Sequence, residues 1–264
     1  MTASVAPTAV DRALARLYDL DLFEDPGDLD LYLALAKRSG GPILELAAGT
    51  GRIAIPLAEA GHRVTAVDID PAMLERAKDA IERSRPDAGA QIELVEADLL
   101  GFAHRDAGTF RLAIIALNSL FLLATRDRQR EAIRTLARNL APGGLAVVDL
   151  WLPGVEDLAR FDGRLILEYV RTDPETGREV TKTSAARFDP TGGTVDLTSI
   201  YEEAAPGDAT IRWIRRDALR LVSPDELRAF AEEVGLVVED LASTYDMEPL
   251  GPGDERAILV ARRP

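Results

Sequence analysis

The sequence predicts an α/β protein built on a doubly wound, mostly parallel sheet. Between residues 43 and 150, short apolar segments of strand length alternate with segments of helical periodicity. This alternation is typical of parallel sheets whose connecting helices cover both faces. The first apolar segment ends in a glycine turn, Ala47-Ala48-Gly49-Thr50-Gly51. After Trp151 the pattern changes to half-exposed strands separated by proline and glycine turns, which predicts a small antiparallel meander.

The elements of the first part can be placed in order along the chain. Two segments of helical periodicity, residues 10–22 and 29–37, come before the first strand and are joined by a turn cluster. Strands are predicted at residues 43–47, 63–69, 92–97, 111–117 and 145–150, and helices at 52–60, 71–83 and 127–140. Asp70 and Pro71 suit the N-cap and first position of a helix, so they fix where the second of these helices begins.

The second part contains four predicted meander strands, one helix and two final strands. The meander strands are expected at residues 165–171, 179–188, 194–202 and 211–219. A helix begins after Ser223, followed by strands at residues 236–243 and 257–261. The five earlier strands and these two make a seven-stranded sheet, with the meander inserted after the fifth strand.

The glycine turn identifies a nucleotide site but leaves the nucleotide open. Gly49-x-Gly51-x-x-Ala54, with Asp68 downstream, fits the fingerprint of enzymes that bind a nicotinamide or flavin dinucleotide. Small residues at such a turn let the backbone approach a ligand closely. Three further features favour a different cofactor: an acid within the first strand, Glu45; a second acid after the third strand, Asp98; and a Pro-Gly-Gly turn before the fifth strand.

Together these features resemble the class I S-adenosylmethionine-dependent methyltransferases, in particular the branch of glycine and sugar N-methyltransferases. The matching stretches are ELAAGTG, VTAVDIDPAML, VEADLL and LAPGGLAVVD. The resemblance implies a Rossmann-like core at residues 41–153 and 222–264, a helical lid at 1–40, and a β cap over the acceptor at 154–221. It also implies S-adenosylmethionine as cofactor and S-adenosylhomocysteine as product.

The resemblance places ten residues at the cofactor. Asp68 is expected to accept hydrogen bonds from both ribose hydroxyls, which a carboxylate does better than a neutral group. Asp98 is expected to accept from the adenine amino group. Glu45 either orients the methionine ammonium or satisfies the amides of the glycine loop. The full set is Tyr18, Glu45, Ala47, Gly49, Gly51, Asp68, Ile69, Asp98, Leu99 and Leu117.

The methionine carboxylate lacks an obvious partner in the sequence. The lid has no arginine at the position that relatives use. Arg52, at the start of the first core helix, either fills this role or forms an ion pair with a surface acid.

The acceptor side carries fewer signals. Candidate acceptor residues are Tyr32, Asn118, Trp151 and Trp213. Relatives commonly carry a histidine shortly after the Asn-Ser pair, where this chain has Leu122, so no catalytic residue is identified. This departure favours catalysis by proximity and orientation, or a base from elsewhere such as a tyrosine.

Composition excludes several function classes. The chain has no cysteine and two histidines, which excludes thiolate chemistry and a multi-histidine zinc site, and we expect no metal. A net charge of -14 disfavours nucleic acid and anionic membranes as partners. The first ten residues have the character of a loose tail rather than a signal peptide, which favours the cytoplasm. The resemblance allows a homodimer through the β cap.

The sequence therefore predicts methyl transfer to nitrogen or oxygen of a small-molecule acceptor. The alternative is a protein of the same fold that uses the cofactor structurally, either as a cyclase or as a binder without activity. A nicotinamide-dependent oxidoreductase is a more distant third hypothesis.

Overall fold

The structure, a computed structural model, describes residues 6–24, 26–85 and 87–264. The first five residues of the predicted tail lie outside the described residues, as does Asp25 of the predicted turn cluster. No helix in the described part of the chain combines the length and apolar character that crossing a membrane requires.

The core is a seven-stranded sheet of the predicted doubly wound type. Its strands are β1 Ile43–Leu46, β2 Val64–Asp68, β3 Ile92–Glu96, β4 Phe110–Ile115, β5 Leu140–Trp151, β10 Val237–Ala242 and β11 Arg256–Arg262. Their spatial order is β10-β11-β5-β4-β1-β2-β3. The first five run parallel, and β11 pairs antiparallel with both β5 and β10. The predicted fold class is confirmed.

Helices cover both faces of this sheet and bury its strands. α2 Leu29–Ser39 and α3 Ala54–Glu59 pack on one face, where Tyr32 and Leu57 join a cluster of buried apolar residues. α5 Arg126–Asn139 and α7 Pro224–Glu233 pack on the other face, around Phe230. α4 Pro71–Arg83 begins where the sequence predicts, because the Asp70 carboxylate accepts the Ala72 N–H at 2.8 Å.

A second sheet of four antiparallel strands forms the meander. It contains β6 Ile166–Thr172, β7 Glu179–Asp189, β8 Thr194–Ala204 and β9 Ile211–Arg220, in sequence order. The chain enters it after β5 and α6 Val155–Arg160, and leaves it into α7. We call this sheet the cap. Helix α6 and the 3-10 helix Ser119–Leu123 are not predicted from the sequence, since both are too short to show a helical period.

Helix α1, Ala9–Asp21, lies between the core and the cap. Ala15 packs on α4 against Ala72 and Met73. Leu17 and Leu20 pack on the cap, in a cluster with Val180 and Tyr201. The amphipathic pattern of α1 is therefore satisfied by two different partners.

Polar contacts at the end of α1 hold the cap against it. One Asp21 carboxylate oxygen accepts the Tyr169 hydroxyl and the other accepts the Tyr201 hydroxyl, both at 2.7 Å. Lys182 lies 2.9 Å from the second oxygen. Three cap side chains thus share one carboxylate of α1.

We expect Asp21→Ala to lower the free energy of unfolding by about 2 kcal/mol, since it leaves two part-buried hydroxyls and an ammonium without their partner. Urea unfolding measures the change. Asp79→Ala, at an exposed position within α4, is the matched control and should be close to neutral. Equal stability of the two variants would contradict the role given to Asp21.

Candidate active site

The strand order places a crevice where β1 and β4 lie side by side. The chain runs outward from β1 to β2 and β3, then returns to β4 on the other side of β1. Connections diverge at such a switch point and leave an opening beyond the carboxyl ends of the strands. A cavity of about 520 Å³ occupies this place, lined by the ends of β1 to β4 together with α1, the 3-10 helix, α5 and β9.

Asp68 joins the ends of β1 and β2 at the floor of the cavity. One of its carboxylate oxygens accepts the Gly49 N–H at 2.8 Å and the other accepts the Asp70 N–H at 2.9 Å. Burial raises the pKa of this carboxyl group, while the backbone N–H donors act in the opposite direction. Each oxygen keeps a second lone pair, so the carboxylate can also accept from two hydroxyls of a ligand.

Three non-glycine residues at the strand ends adopt the left-handed backbone region. They are Ala47 after β1, with φ 58°, and Leu117 and Asn118 after β4, with φ 42° and 65°. Such conformations are costly for residues with a side chain and concentrate at functional sites. Asn118 is held in place by two hydrogen bonds: its N–H donates to the Asp149 carbonyl, and its Oδ1 accepts the Trp151 N–H at 2.5 Å.

Glu45 is a buried carboxyl group near this floor. It is 3% exposed, and its Oε2 atom has no hydrogen-bond partner among the described residues. Burial raises the pKa of Glu45 to about 8, although the nearby Arg52 guanidinium lowers it. The free oxygen is therefore a buried acceptor that the described residues leave without a donor.

Tyr18 brings α1 over the glycine turn. A Cβ built at Gly49 would lie 3.7 Å from the Tyr18 ring, so the ring packs beside the turn, and the φ of 57° at this position favours glycine. Burial raises the pKa of Tyr18 to about 12, which keeps the hydroxyl protonated at neutral pH. The next residue of α1, Asp19, accepts hydrogen bonds from Thr50 and Arg76. Helix α1 is thereby bound to the glycine turn and to α4.

Eight of the ten predicted cofactor residues line the cavity, and their contacts with a ligand remain predictions. The eight are Tyr18, Ala47, Gly49, Asp68, Ile69, Asp98, Leu99 and Leu117. Glu45 lies buried behind this lining. Gly51 is not part of the lining; it adopts φ 84°, a backbone conformation that favours glycine.

None of the four predicted acceptor residues lines the cavity. Tyr32 is fully buried in the core, with an unpaired hydroxyl. Trp151 packs its ring on Phe161, and Asn118 uses its side-chain oxygen on the Trp151 backbone. Trp213 packs beside α1 and donates its indole N–H to Glu203. The sequence suggests that both tryptophans could line an apolar pocket, but periodicity cannot show what the face of a strand contacts.

Arg52 forms an ion pair rather than facing the cavity. Two of its nitrogens donate to the two carboxylate oxygens of Asp28, each at 2.6 Å, and Asp28 is fully buried. Of the two roles that the sequence left open, the structure shows the ion pair, but with a buried acid rather than the surface acid that was expected. Asp28 gave no signal in the sequence because it lies in a predicted turn, where exposed acids are common.

The cap-side wall contains residues that sequence reasoning missed. These are Ser119, Leu122, Arg128, Arg215, Arg216 and Asp217. Only tertiary contact brings α5 and β9 to the strand ends, so no local motif marks them. Among the described residues, the wall contains no histidine, and Leu122 stands exposed on it.

Comparison with known proteins agrees with this geometry. The family described as "Methyltransferase domain" matches residues 43–144. A cypemycin N-terminal methyltransferase of a Streptomyces species is 29% identical, over 97% of this chain and 98% of its own. The CcbJ methyltransferase of Streptomyces caelestis superposes with a TM-score of 0.77 at 22% identity, covering 92% of this chain and 98% of that one. CalS10, an amino pentose methyltransferase from Micromonospora echinaspora with S-adenosylmethionine bound, has a TM-score of 0.67 at 19% identity and full coverage of both chains.

Residues 43–144 form a methyltransferase domain, and the chain is similar over nearly its full length to a protein named as a methyltransferase. The resemblance drawn from the sequence is confirmed, and so is the cofactor. Of the two cofactors that the glycine turn allowed, S-adenosylmethionine is the one that the relatives support.

The residues of this methyltransferase fit its cofactor. The unpaired Glu45 oxygen lies in the strand whose end lines the cavity, where an ammonium group could pair with it. Acidic side chains outnumber basic ones on the wall, which suits a sulfonium: Asp11, Asp68, Asp70, Asp98 and Asp217 against Arg128, Arg215 and Arg216. Asp98 is exposed, and its Oδ1 accepts the Leu100 N–H at 2.9 Å.

The raised pKa of Glu45 predicts a pH-dependent stability. Unfolded, this carboxyl group titrates at about pH 4.3, whereas its folded pKa is about 8. Between these values the native state binds one more proton than the unfolded state. The stability contributed by the protonated Glu45 carboxyl group is therefore lost as the pH rises. We expect the free energy of unfolding to fall by up to about 1.4 kcal/mol per pH unit over this window.

Urea unfolding of the wild type and of Glu45→Gln between pH 5 and 8, without cofactor, measures this contribution. The amide does not titrate, so the variant should lose the slope that Glu45 supplies. If both proteins show the same dependence on pH, Glu45 titrates normally and the assignment is wrong.

Proposed function

We propose that this methyltransferase moves a methyl group from S-adenosylmethionine to nitrogen or oxygen of a small-molecule acceptor. The observation that carries the proposal is the cavity at the switch point, with carboxylates at the ends of β2 and β3 and a separate sheet over it. The cypemycin enzyme is named for methylation at an N-terminus, and CalS10 for an amino pentose, both of which support a nitrogen acceptor.

The cofactor supplies an activated methyl group on a positively charged sulfur, so the protein mainly has to bind and orient its ligands. We assign the ribose hydroxyls to Asp68 and the adenine amino group to Asp98, with Ile69 and Leu99 beside the ring. Glu45 is placed for the ammonium group. Tyr18 and the rest of α1 cover the cofactor and exclude water.

Catalysis in this scheme rests on proximity. Leu122 stands on the wall where the resemblance would place a histidine, and no other described lining residue is a histidine. An acceptor that presents a free lone pair, such as a neutral amine, needs no strong base. We further propose that the protein acts in the cytoplasm and that the cap can mediate a homodimer.

Two measurements test this function. Isothermal titration should show binding of S-adenosylhomocysteine and no binding of NADH. Transfer of a labelled methyl group to a panel of small amines and alcohols should then label at least one of them. Tight binding of NADH alone would overturn the assignment to methyl transfer, whereas cofactor binding without transfer to any acceptor would favour structural use of the cofactor.

We expect Asp68→Ala to weaken S-adenosylhomocysteine binding by at least about 1.5 kcal/mol, roughly tenfold, the scale of a lost charge-assisted hydrogen bond. Asp68→Asn should lose less, since the amide oxygen can still accept one N–H. The exposed Asp79→Asn serves as the control for a lost charge. Isothermal titration gives all three affinities, and an unchanged affinity in Asp68→Ala would mean that other groups hold the ribose.

A further inference from the structure

The cap-side wall of the cavity carries positive charge from two separate elements. Arg128 comes from the first turn of α5, and Arg215 comes from β9 of the cap. The chain as a whole has a net charge of -14, and the floor of the same cavity is acidic. Two guanidinium groups on the wall of one cavity are unusual in so acidic a chain, and they suggest an anionic ligand group.

Arg128 stands in an unfavourable electrostatic position. α5 begins at Arg126, after the N-cap Thr125, so its first turn carries the positive end of the helix dipole. Arg126 and Arg130 flank this position, and both form ion pairs with acidic residues. Arg128 forms none with any described residue. The positive end of the helix dipole disfavours a cation such as Arg128. An anion bound at the same place would interact favourably with both the dipole and the guanidinium.

Arg215 presents its donors towards the same space. Its Nε atom donates to both carboxylate oxygens of Asp217, at 3.1 and 2.8 Å. Its two terminal nitrogens make no hydrogen bond to a described residue, so the outer edge of the guanidinium is free. Asp217 therefore orients the side chain and leaves its bidentate edge available, the edge that binds carboxylate and phosphate groups.

Arg216 also borders the cavity but is not included in this site. Side chains alternate along a strand, so Arg216 shares the outer face of the cap with Ile214, which is 44% exposed. Arg215 shares the opposite face with Asp217 and Trp213, the face that contacts α1.

We propose that Arg128 and Arg215 form a subsite for an anionic group, carboxylate or phosphate, on the methyl acceptor. The subsite rests on the proposed function and narrows its substrate class to acceptors that carry such a group. The acidic floor holds the cationic cofactor, and the basic wall opposite holds the acceptor. The long-range field of the chain repels anions, so binding depends on these two local charges.

The cofactor is the other source of a carboxylate, and two ligands separate the sources. S-adenosylhomocysteine carries the amino acid carboxylate, and 5′-methylthioadenosine lacks it. If the two arginines serve the acceptor, Arg128→Gln and Arg215→Gln bind both nucleosides within twofold of the wild type. Weaker binding of S-adenosylhomocysteine alone would assign the arginines to the cofactor and overturn the proposal.

The subsite itself is tested on the protein saturated with S-adenosylhomocysteine, with pyrophosphate and succinate as probes in isothermal titration. We expect at least one probe to bind the wild type, and each arginine variant to bind it at least fivefold more weakly. Asp217→Asn should bind it more tightly, because the competing negative charge is removed. Arg160→Gln, at an exposed position outside the cavity, is the control and should match the wild type.

The subsite would be overturned if neither probe bound the wild type at millimolar concentration. It would also be overturned if Arg160→Gln lost as much probe affinity as the two arginine variants. Urea unfolding of each variant confirms that the fold is retained. If the wild type bound neither S-adenosylhomocysteine nor 5′-methylthioadenosine, the result would count against the proposed function. Failure of the subsite and failure of the proposed function are therefore distinguishable.

Discussion

The hydrogen bond from the Gly49 amide to the Asp68 carboxylate is the contact on which the site depends. It joins the ends of β1 and β2 at 2.8 Å and fixes the glycine turn relative to the acid that follows the next strand. The same carboxylate accepts the N–H of Asp70, the residue that caps the start of α4. Strand ends, glycine turn and helix start are therefore positioned by one charged group, and a ligand that uses its remaining lone pairs meets a preformed site.

Helix α1 connects this floor to the cap. Its Asp19 accepts from the glycine turn and from α4, while its Asp21 accepts from two cap tyrosines. Arg76 of α4 also reaches Glu175 of the cap. Helix α1 therefore has buried apolar contacts with both α4 and the cap, and its two carboxylates are shared between them. A shift of α1 away from one of these partners would also disturb its contacts with the other. The cavity walls are thus set jointly by core, lid and cap.

Charge is divided within the cavity in a way that matches the chemistry. The floor presents carboxylates, suited to a sulfonium cofactor, and the facing wall presents Arg128 and Arg215. The buried Glu45 has its pKa raised by desolvation, so a cationic ligand group nearby would restore its charged form. Leu122 lies on this wall at the position where the resemblance would place a histidine.

The sequence alone determined the strand–helix alternation, the glycine turn, the Asp70 cap and the acids at the ends of β2 and β3, because each depends on local periodicity or on neighbouring residues. It therefore predicted the fold and most of the residues on the cavity floor. The cap-side wall was decided only by tertiary structure: Arg128 and Arg215 are 87 positions apart and line the same cavity because β9 packs on the 3-10 helix before α5. The four predicted acceptor residues do not line the cavity: Tyr32 is buried in the core, Trp213 packs beside α1, Trp151 packs on Phe161, and Asn118 accepts from the Trp151 backbone. Periodicity contains no information about which partner the face of a strand or helix will contact.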